Sequence, residues 1–152
     1  MEVALPASAF GIYCMQIYVN YWAVLVAGVA GMALGMLWYS PILFGKTWMR
    51  EMGFTKESME RAKARGMHKI YTLSFIGSLI MAYVLAHFVF VWAATDFVGA
   101  FQLAFWIWLG FVATVMLGGV LWEGKSMKLY AINAFYYLAS LYVMALILAY
   151  WA

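Results

Sequence analysis

Charged residues cut the chain into four long runs free of Asp, Glu, Lys and Arg. They are Val3–Gly45 with 43 residues, Ile70–Thr95 with 26, Phe97–Trp122 with 26 and Leu129–Ala152 with 24. A helix needs about 20 apolar residues to cross a hydrocarbon core of about 30 Å. Lipid offers no hydrogen-bond partners, so a crossing segment must satisfy its backbone internally, and a helix does so. The last three runs each predict one tilted span, at about 70–94, 98–122 and 129–151.

The first run is longer than one span needs. Asn20 is an N-cap residue type, and Pro41 biases Ser40 out of the helical region. The span is therefore expected at Tyr21–Ser40. Ala7–Val19 is left over, with Pro6 before it and Gly11 and Gln16 inside it. It reads as an interfacial helix or extended arm within an N-terminal extension, 1–20. The alternative is a fifth span, which would move the N-terminus across the membrane.

The loop 41–69 is the one sizeable polar segment. Thr55 is placed to cap a short helix from Lys56 to Arg65, with Phe54 and Met59 at the two positions of a hydrophobic staple. Glu57 and Glu60 lie near its start and Arg61, Lys63 and Arg65 near its end, an order that complements the helix dipole. Gly66 is placed to terminate it.

Composition agrees with this pattern. Hydrophobic residues make up 68% of the 152 positions and charged residues 10%, against about 25% charged in soluble domains. The fold class expected is an all-α membrane protein: a four-helix bundle at 21–152, preceded by the extension. The Met1-Glu2 start is acidic where a cleavable signal is basic.

The net charge of +3 does not mark a nucleic-acid partner, because the cations are distributed by side. Lys46, Arg50, Lys56, Arg61, Lys63, Arg65 and Lys69 lie between the first and second spans, and Lys125 and Lys128 between the third and fourth. The positive-inside rule places both loops in the cytoplasm and both termini outside, in a plasma or inner membrane. Trp22, Trp92 and Trp151 then mark the external boundary, and Trp38, Trp48 and Trp122 the cytoplasmic one. Trp106 and Trp108 sit too deep for a belt. Clustered cations beside a membrane also attract anionic headgroups, although ordinary positive-inside charge explains them more simply.

Small residues recur every four positions in three spans: Ala23, Ala27, Gly31 and Gly35; Ser74, Ser78, Ala82 and Ala86; Gly110, Thr114 and Gly118. Small faces let helix backbones approach closely in lipid. Packing within one bundle is the simpler use of the stripes. A contact between protomers, through the first stripe above all, is the alternative. Four short helices leave much surface against membrane lipids, so a homo-oligomer or membership of a larger membrane complex is expected.

The passage Gly35-Met36-Leu37-Trp38-Tyr39-Ser40-Pro41-Ile42-Leu43-Phe44-Gly45-Lys46-Thr47-Trp48-Met49 is distinctive. It resembles the signature of the DUF1761 family, small multi-spanning membrane proteins of unknown function. Trp108-Leu109-Gly110-Phe111, Glu123-Gly124, and Asn133 followed by Tyr137 extend the resemblance from about Tyr21 to the C-terminus. The resemblance implies no activity, substrate or cofactor.

The matching residues crowd the cytoplasmic edge. Tyr39 and Ser40 end the first span, Glu123 ends the third, and Asn133 and Tyr137 lie one turn apart on one face of the fourth. Polar side chains at membrane depth are costly and often functional, so these five form a candidate polar pocket with Glu123 as its charged member. The bland alternative pairs Glu123 with Lys125 or Lys128 in solvent and Asn133 with a neighbouring helix. At the other edge, His87 and Asp96 are a candidate proton-responsive pair, with Gln102 near them; a packed, hydrogen-bonded histidine is the commoner case.

Catalytic patterns are weak. Cys14 is a lone cysteine, and no histidines have zinc-ligand spacing. There is no nucleophile elbow and no phosphate loop, so neither metal nor cofactor is expected. Three functions follow. The first is a non-enzymatic oligomeric bundle that binds or passes a small solute or ion. The second is a structural or accessory subunit. The third, and weakest, is a lipid-modifying enzyme using Glu123 and Tyr39.

Overall fold

A computed structural model describes residues 18–64 and 66–151. The expected N-terminal segment, apart from Tyr18 and Val19, and Arg65 lie outside them. The described chain is helical, with α1 Tyr21–Trp38, α2 Gly45–Glu51, α3 Lys56–Ala64 and α4 His68–Trp92. The third span follows as α5 Phe97–Ile107, a π-helical stretch Trp108–Ala113 and α6 Thr114–Leu121, and α7 Met127–Tyr150 completes the chain. Four of these helical units are long and apolar enough to cross a membrane: Tyr21–Trp38, His68–Trp92, Phe97–Leu121 and Met127–Tyr150.

Caps set the ends of these elements. The Asn20 side chain accepts from Trp22 and Ala23 N–H at the start of α1, and it donates to the Trp151 carbonyl at 3.0 Å. Both ends of the described chain therefore meet at one end of the bundle. The loops carrying the described basic residues lie at the other, joined by a Ser126–Glu51 hydrogen bond of 2.5 Å. Thr55 Oγ1 accepts from Ser58 N–H while Ser58 Oγ accepts from Thr55 N–H, a reciprocal cap for α3. Gly66, with φ of +86°, stands where the sequence placed a terminator.

The central helix is α7, which packs on α1, α4 and the whole third span. Its inward residues Ile132, Ser140, Leu141, Met144, Ala145 and Leu148 are buried. The first small-residue stripe is consumed inside the bundle. Ala23, Ala27 and Gly31 are buried, a methyl added at Gly28 would fall 2.6 Å from Leu79 Cδ2, and one at Gly35 would fall 2.9 Å from the Tyr136 hydroxyl. On the second stripe Ser78 Oγ donates to the Gly28 carbonyl at 2.8 Å and Ala82 is buried, while Ser74 is exposed. The third stripe is open. Among the described residues, and apart from the local helix backbone, nothing lies within 4 Å of a methyl at Gly110, and a methyl at Gly118 would meet only Trp122, 3.9 Å away.

Three local features depart from expectation. Helix α1 stops at Trp38, with Tyr39 as its cap, because the chain turns before Pro41 rather than at it. The short helix α2 was not expected. The third span is interrupted by the π-helical stretch, where the backbone hydrogen bonds shift register for one turn.

Candidate functional site

The turn from α1 to α2 is built by the distinctive passage. Phe44 N–H donates to the Trp38 carbonyl at 3.1 Å and Gly45 N–H to the Ser40 carbonyl at 2.9 Å. A methyl at Gly45 would collide with the Tyr39 carbonyl and fall 2.7 Å from Ser40 C, so only glycine closes this turn. The turn sets Phe44 against Trp38 at a tilt, with ring centroids 4.8 Å apart. Trp48 meets Tyr39 edge-on at 5.3 Å and stacks on Phe54 at 5.5 Å.

This aromatic cap docks on α7 through two donors. Trp38 Nε1 donates to the Ile132 carbonyl at 3.1 Å, and the Tyr39 hydroxyl donates to Asn133 Oδ1 at 3.0 Å. Tyr39 lies just past the end of its span. Its burial, and the phenols of Tyr136 and Tyr137 beside it, push its hydroxyl well above the ordinary tyrosine range. It is therefore a protonated donor at any physiological pH, and Asn133 keeps its amide N–H groups for another partner.

The π-helical stretch is stitched to α7 in the same region. Trp108 Nε1 donates to the Ala134 carbonyl at 2.6 Å, and the Tyr130 hydroxyl donates to the Ala113 carbonyl at 3.1 Å. The deep position of Trp108 is thus explained as a helix-to-helix bond, while Trp106 is exposed. Beneath the stitch, α6 and α7 border a half-open cavity of about 180 Å³, lined by Val115, Met116, Gly119, Val120, Glu123, Lys125, Leu129, Tyr130 and Asn133.

The cavity's mouth is shaped by the loop after α6. Gly124, with φ of +67°, lets the chain fold back so that Lys125 N–H donates to the Gly119 carbonyl at 3.0 Å. Glu123 and Lys125 then pair across the mouth at 2.6 Å, with side chains 59% and 52% exposed. A pair this exposed contributes about 0–1 kcal/mol, so opening it to admit a ligand costs little. Asn133 forms part of the polar wall and Met116, Val120 and Leu129 the apolar wall. Val115, 72% exposed, borders it on the outer surface of the bundle.

The DUF1761 family model, described as a protein of unknown function, matches residues 22–149. The chain belongs to the DUF1761 family. No curated protein matches the chain, and no solved structure does.

In this DUF1761 chain, the five residues expected at the basic edge are placed as follows. Tyr39 bonds Asn133, and Asn133 and Glu123 line one cavity. The Ser40 hydroxyl is buried with no partner among the described residues. Tyr137 contributes its ring, 5.2 Å from that of Tyr136, and Tyr136 is the one that faces Tyr39, at 5.1 Å. Sequence reasoning missed Tyr136, although it lies three residues from Asn133 and shares its face. It also missed Glu51, whose side chain is 17% exposed and accepts from Ser126 beside the cavity.

The residues expected at the opposite edge are committed separately. His87 Nδ1 bonds the Tyr83 carbonyl one turn back at 2.9 Å, and its ring meets Tyr83 edge-on. Asp96 caps α5, accepting from Gly99 N–H at 2.7 Å. Among the described residues no three His, Cys, Asp or Glu side chains gather where they could hold a metal ion.

Proposed function

We propose that this DUF1761 protein is a non-enzymatic membrane protein that binds a small amphipathic solute in the Glu123–Asn133 cavity, at the cytoplasmic end of the bundle. The observation that carries this reading is the cavity itself. It has an acid, a base and an amide on one wall, an apolar second wall, and a border at an exposed valine on the lipid side. A ligand with a polar head and an apolar body suits such a site. The placement of this end in the cytoplasm rests on the nine basic residues, all of which fall in the two loops of that end.

Binding is favoured over conduction by one chain because the opposite half of the bundle is packed. Ala23, Ala27, Ala82, Leu85, Leu103, Met144 and Leu148 are all buried there. Binding is favoured over catalysis because the Tyr39 hydroxyl is committed to Asn133. The open Gly110–Gly118 face supports a second reading, in which the protein is a subunit docked through its third span.

The test compares material that copurifies with the wild type and with Glu123→Gln, each moved into phosphatidylcholine nanodiscs, extracted and analysed by mass spectrometry. A small amphiphile recovered at near one per chain with the wild type and lost with Glu123→Gln is expected. Identical extracts from both would sink the proposal.

A further inference from the structure

Asn133, Tyr136, Ser140 and Met144 follow one another on α7 at spacings of three and four, and so share one face. That face meets α1 and α4. From the basic end inward, Tyr39 bonds Asn133 and the Tyr136 hydroxyl donates to the Gly31 carbonyl at 3.4 Å. Next, Ser78 Oγ on α4 donates to the Gly28 carbonyl at 2.8 Å. The series ends at Ser140, which is 0% exposed; its hydroxyl stands beside that of Tyr136 but makes no well-formed hydrogen bond among the described residues. Past Ser140 the seam is lined by buried Ala23, Ala27, Leu85, Ala145 and Leu148.

Two of these hydroxyls, those of Ser78 and Ser140, flank the notch left by the missing side chain of Gly31. From the point where its Cβ would stand, Ser78 Oγ is 3.1 Å away and Ser140 Oγ 3.3 Å. The methyl of Met144 occupies that notch. Ser78 and Tyr136 have each spent their one O–H on a carbonyl, so both offer only lone pairs. Ser140 offers an unspent donor as well.

A water molecule fits this inventory. It gives one proton to Ser78, another to Tyr136, and accepts from Ser140. A monovalent cation would find oxygen ligands but no carboxylate among the residues named here, and an uncompensated ion in a low-dielectric interior costs several kcal/mol. Left dry, the Ser140 hydroxyl carries a desolvation cost of about 1–3 kcal/mol. Met144 is the one flexible side chain in the way, with three rotatable bonds and an adaptable thioether.

We propose that the seam between α1, α4 and α7 is a hydrated half-path that brings water from the basic face to a mid-span site at Ser78, Tyr136 and Ser140, with the Met144 methyl as its movable plug. The site is separate from the Glu123 cavity and shares only Asn133 with the path to it, so it stands whether or not that cavity takes a ligand.

Two measurements on the full chain test it. The first uses Ser140→Cys in a Cys14→Ser background, reconstituted in phosphatidylcholine vesicles and treated with 2-aminoethyl methanethiosulfonate. Cys-substituted Ser140 is expected to react, and adding Met144→Ala is expected to raise the rate severalfold. Leu148→Cys, in the apolar half, is expected to stay unreactive in both backgrounds. Reaction at Ser140→Cys no faster than at Leu148→Cys, or unmoved by Met144→Ala, overturns the proposal. The second is the sign of the Tm change for Ser140→Ala. A hydrated site loses a ligand and Tm falls, whereas a dry site loses only an orphan hydroxyl. An unchanged or raised Tm therefore also overturns the proposal.

Discussion

The hydrogen bond from Tyr39 to Asn133 ties the end of α1 to α7 and fixes the amide that lines the cavity. Tyr39→Phe removes the hydroxyl alone, because the ring keeps its contacts with Trp48 and Tyr136. A neutral hydrogen bond contributes about 0.5–1.5 kcal/mol net, and side-chain bonds between transmembrane helices average about 0.6 with a maximum near 1.7 kcal/mol. Both residues are half-buried, which places this bond within those ranges. Asn133→Ala should cost more, about 1–3 kcal/mol, since it also strands a half-buried phenol without its acceptor. The assay is a double-mutant cycle of unfolding free energies in mixed micelles, followed by tryptophan fluorescence. A coupling of about 0.6–1.5 kcal/mol is expected, with the double variant less destabilised than the two single costs added together. Strictly additive costs would mean that the two side chains do not bond, and the account of the fixed amide would fall.

Other expectations can be checked on the same preparation. Gly45→Ala forces a methyl against the Tyr39 and Ser40 backbone and should destabilise by about 1–3 kcal/mol, as overpacking does, read as a lower Tm. Gly31→Ala collides with the Met144 methyl and should lower Tm, while Gly110→Ala meets no neighbouring helix within 4 Å among the described residues and should leave the Tm of the single bundle unchanged. If Gly110→Ala instead shifts the elution volume of the native particle, the third span carries a protomer contact. Burial raises the Tyr39 pKa in the folded state, so the neutral phenol is favoured there. That contribution is complete below the ordinary tyrosine value of about 10 and is lost as pH rises through the higher folded value. Stability of the wild type should therefore decline above about pH 10, and Tyr39→Phe should make the decline shallower.

The spans were legible because the membrane's demand is coarse: length, apolarity and an internally bonded backbone. The caps were legible because Asn20 and Thr55 act within three residues of themselves. The helix α2 was not, since seven residues show too little periodicity and its hold is tertiary: Trp48 on Tyr39, and Glu51 on Ser126. Nor was the π-helical stretch, which answers to bonds made by Trp108 and Tyr130 across to another helix and back. In the site, shared depth was enough to bring Glu123 and Asn133 together. It could not choose between Tyr136 and Tyr137, which stand three and four residues from Asn133, because the choice depends on where α1 packs around α7.

The family-like passage at 35–49 reads most fully as a docking device. Gly35 makes room for Tyr136, Trp38 and Tyr39 bond α7, Gly45 closes the turn, and Trp48 covers Tyr39 from α2. Each of these residues has a structural role in the bundle, so substituting one loosens the helix contacts on which every site depends. Loss of function in such a variant therefore says little about chemistry. Glu123 is different. It is exposed, weakly paired and outside the core, and an exposed pair of this kind contributes about 0–1 kcal/mol. Glu123→Gln should leave the Tm within that margin while removing the charge from the cavity mouth. A binding defect in that variant, with Tm unchanged, separates the site's chemistry from the bundle's stability in a way that no substitution within the signature can.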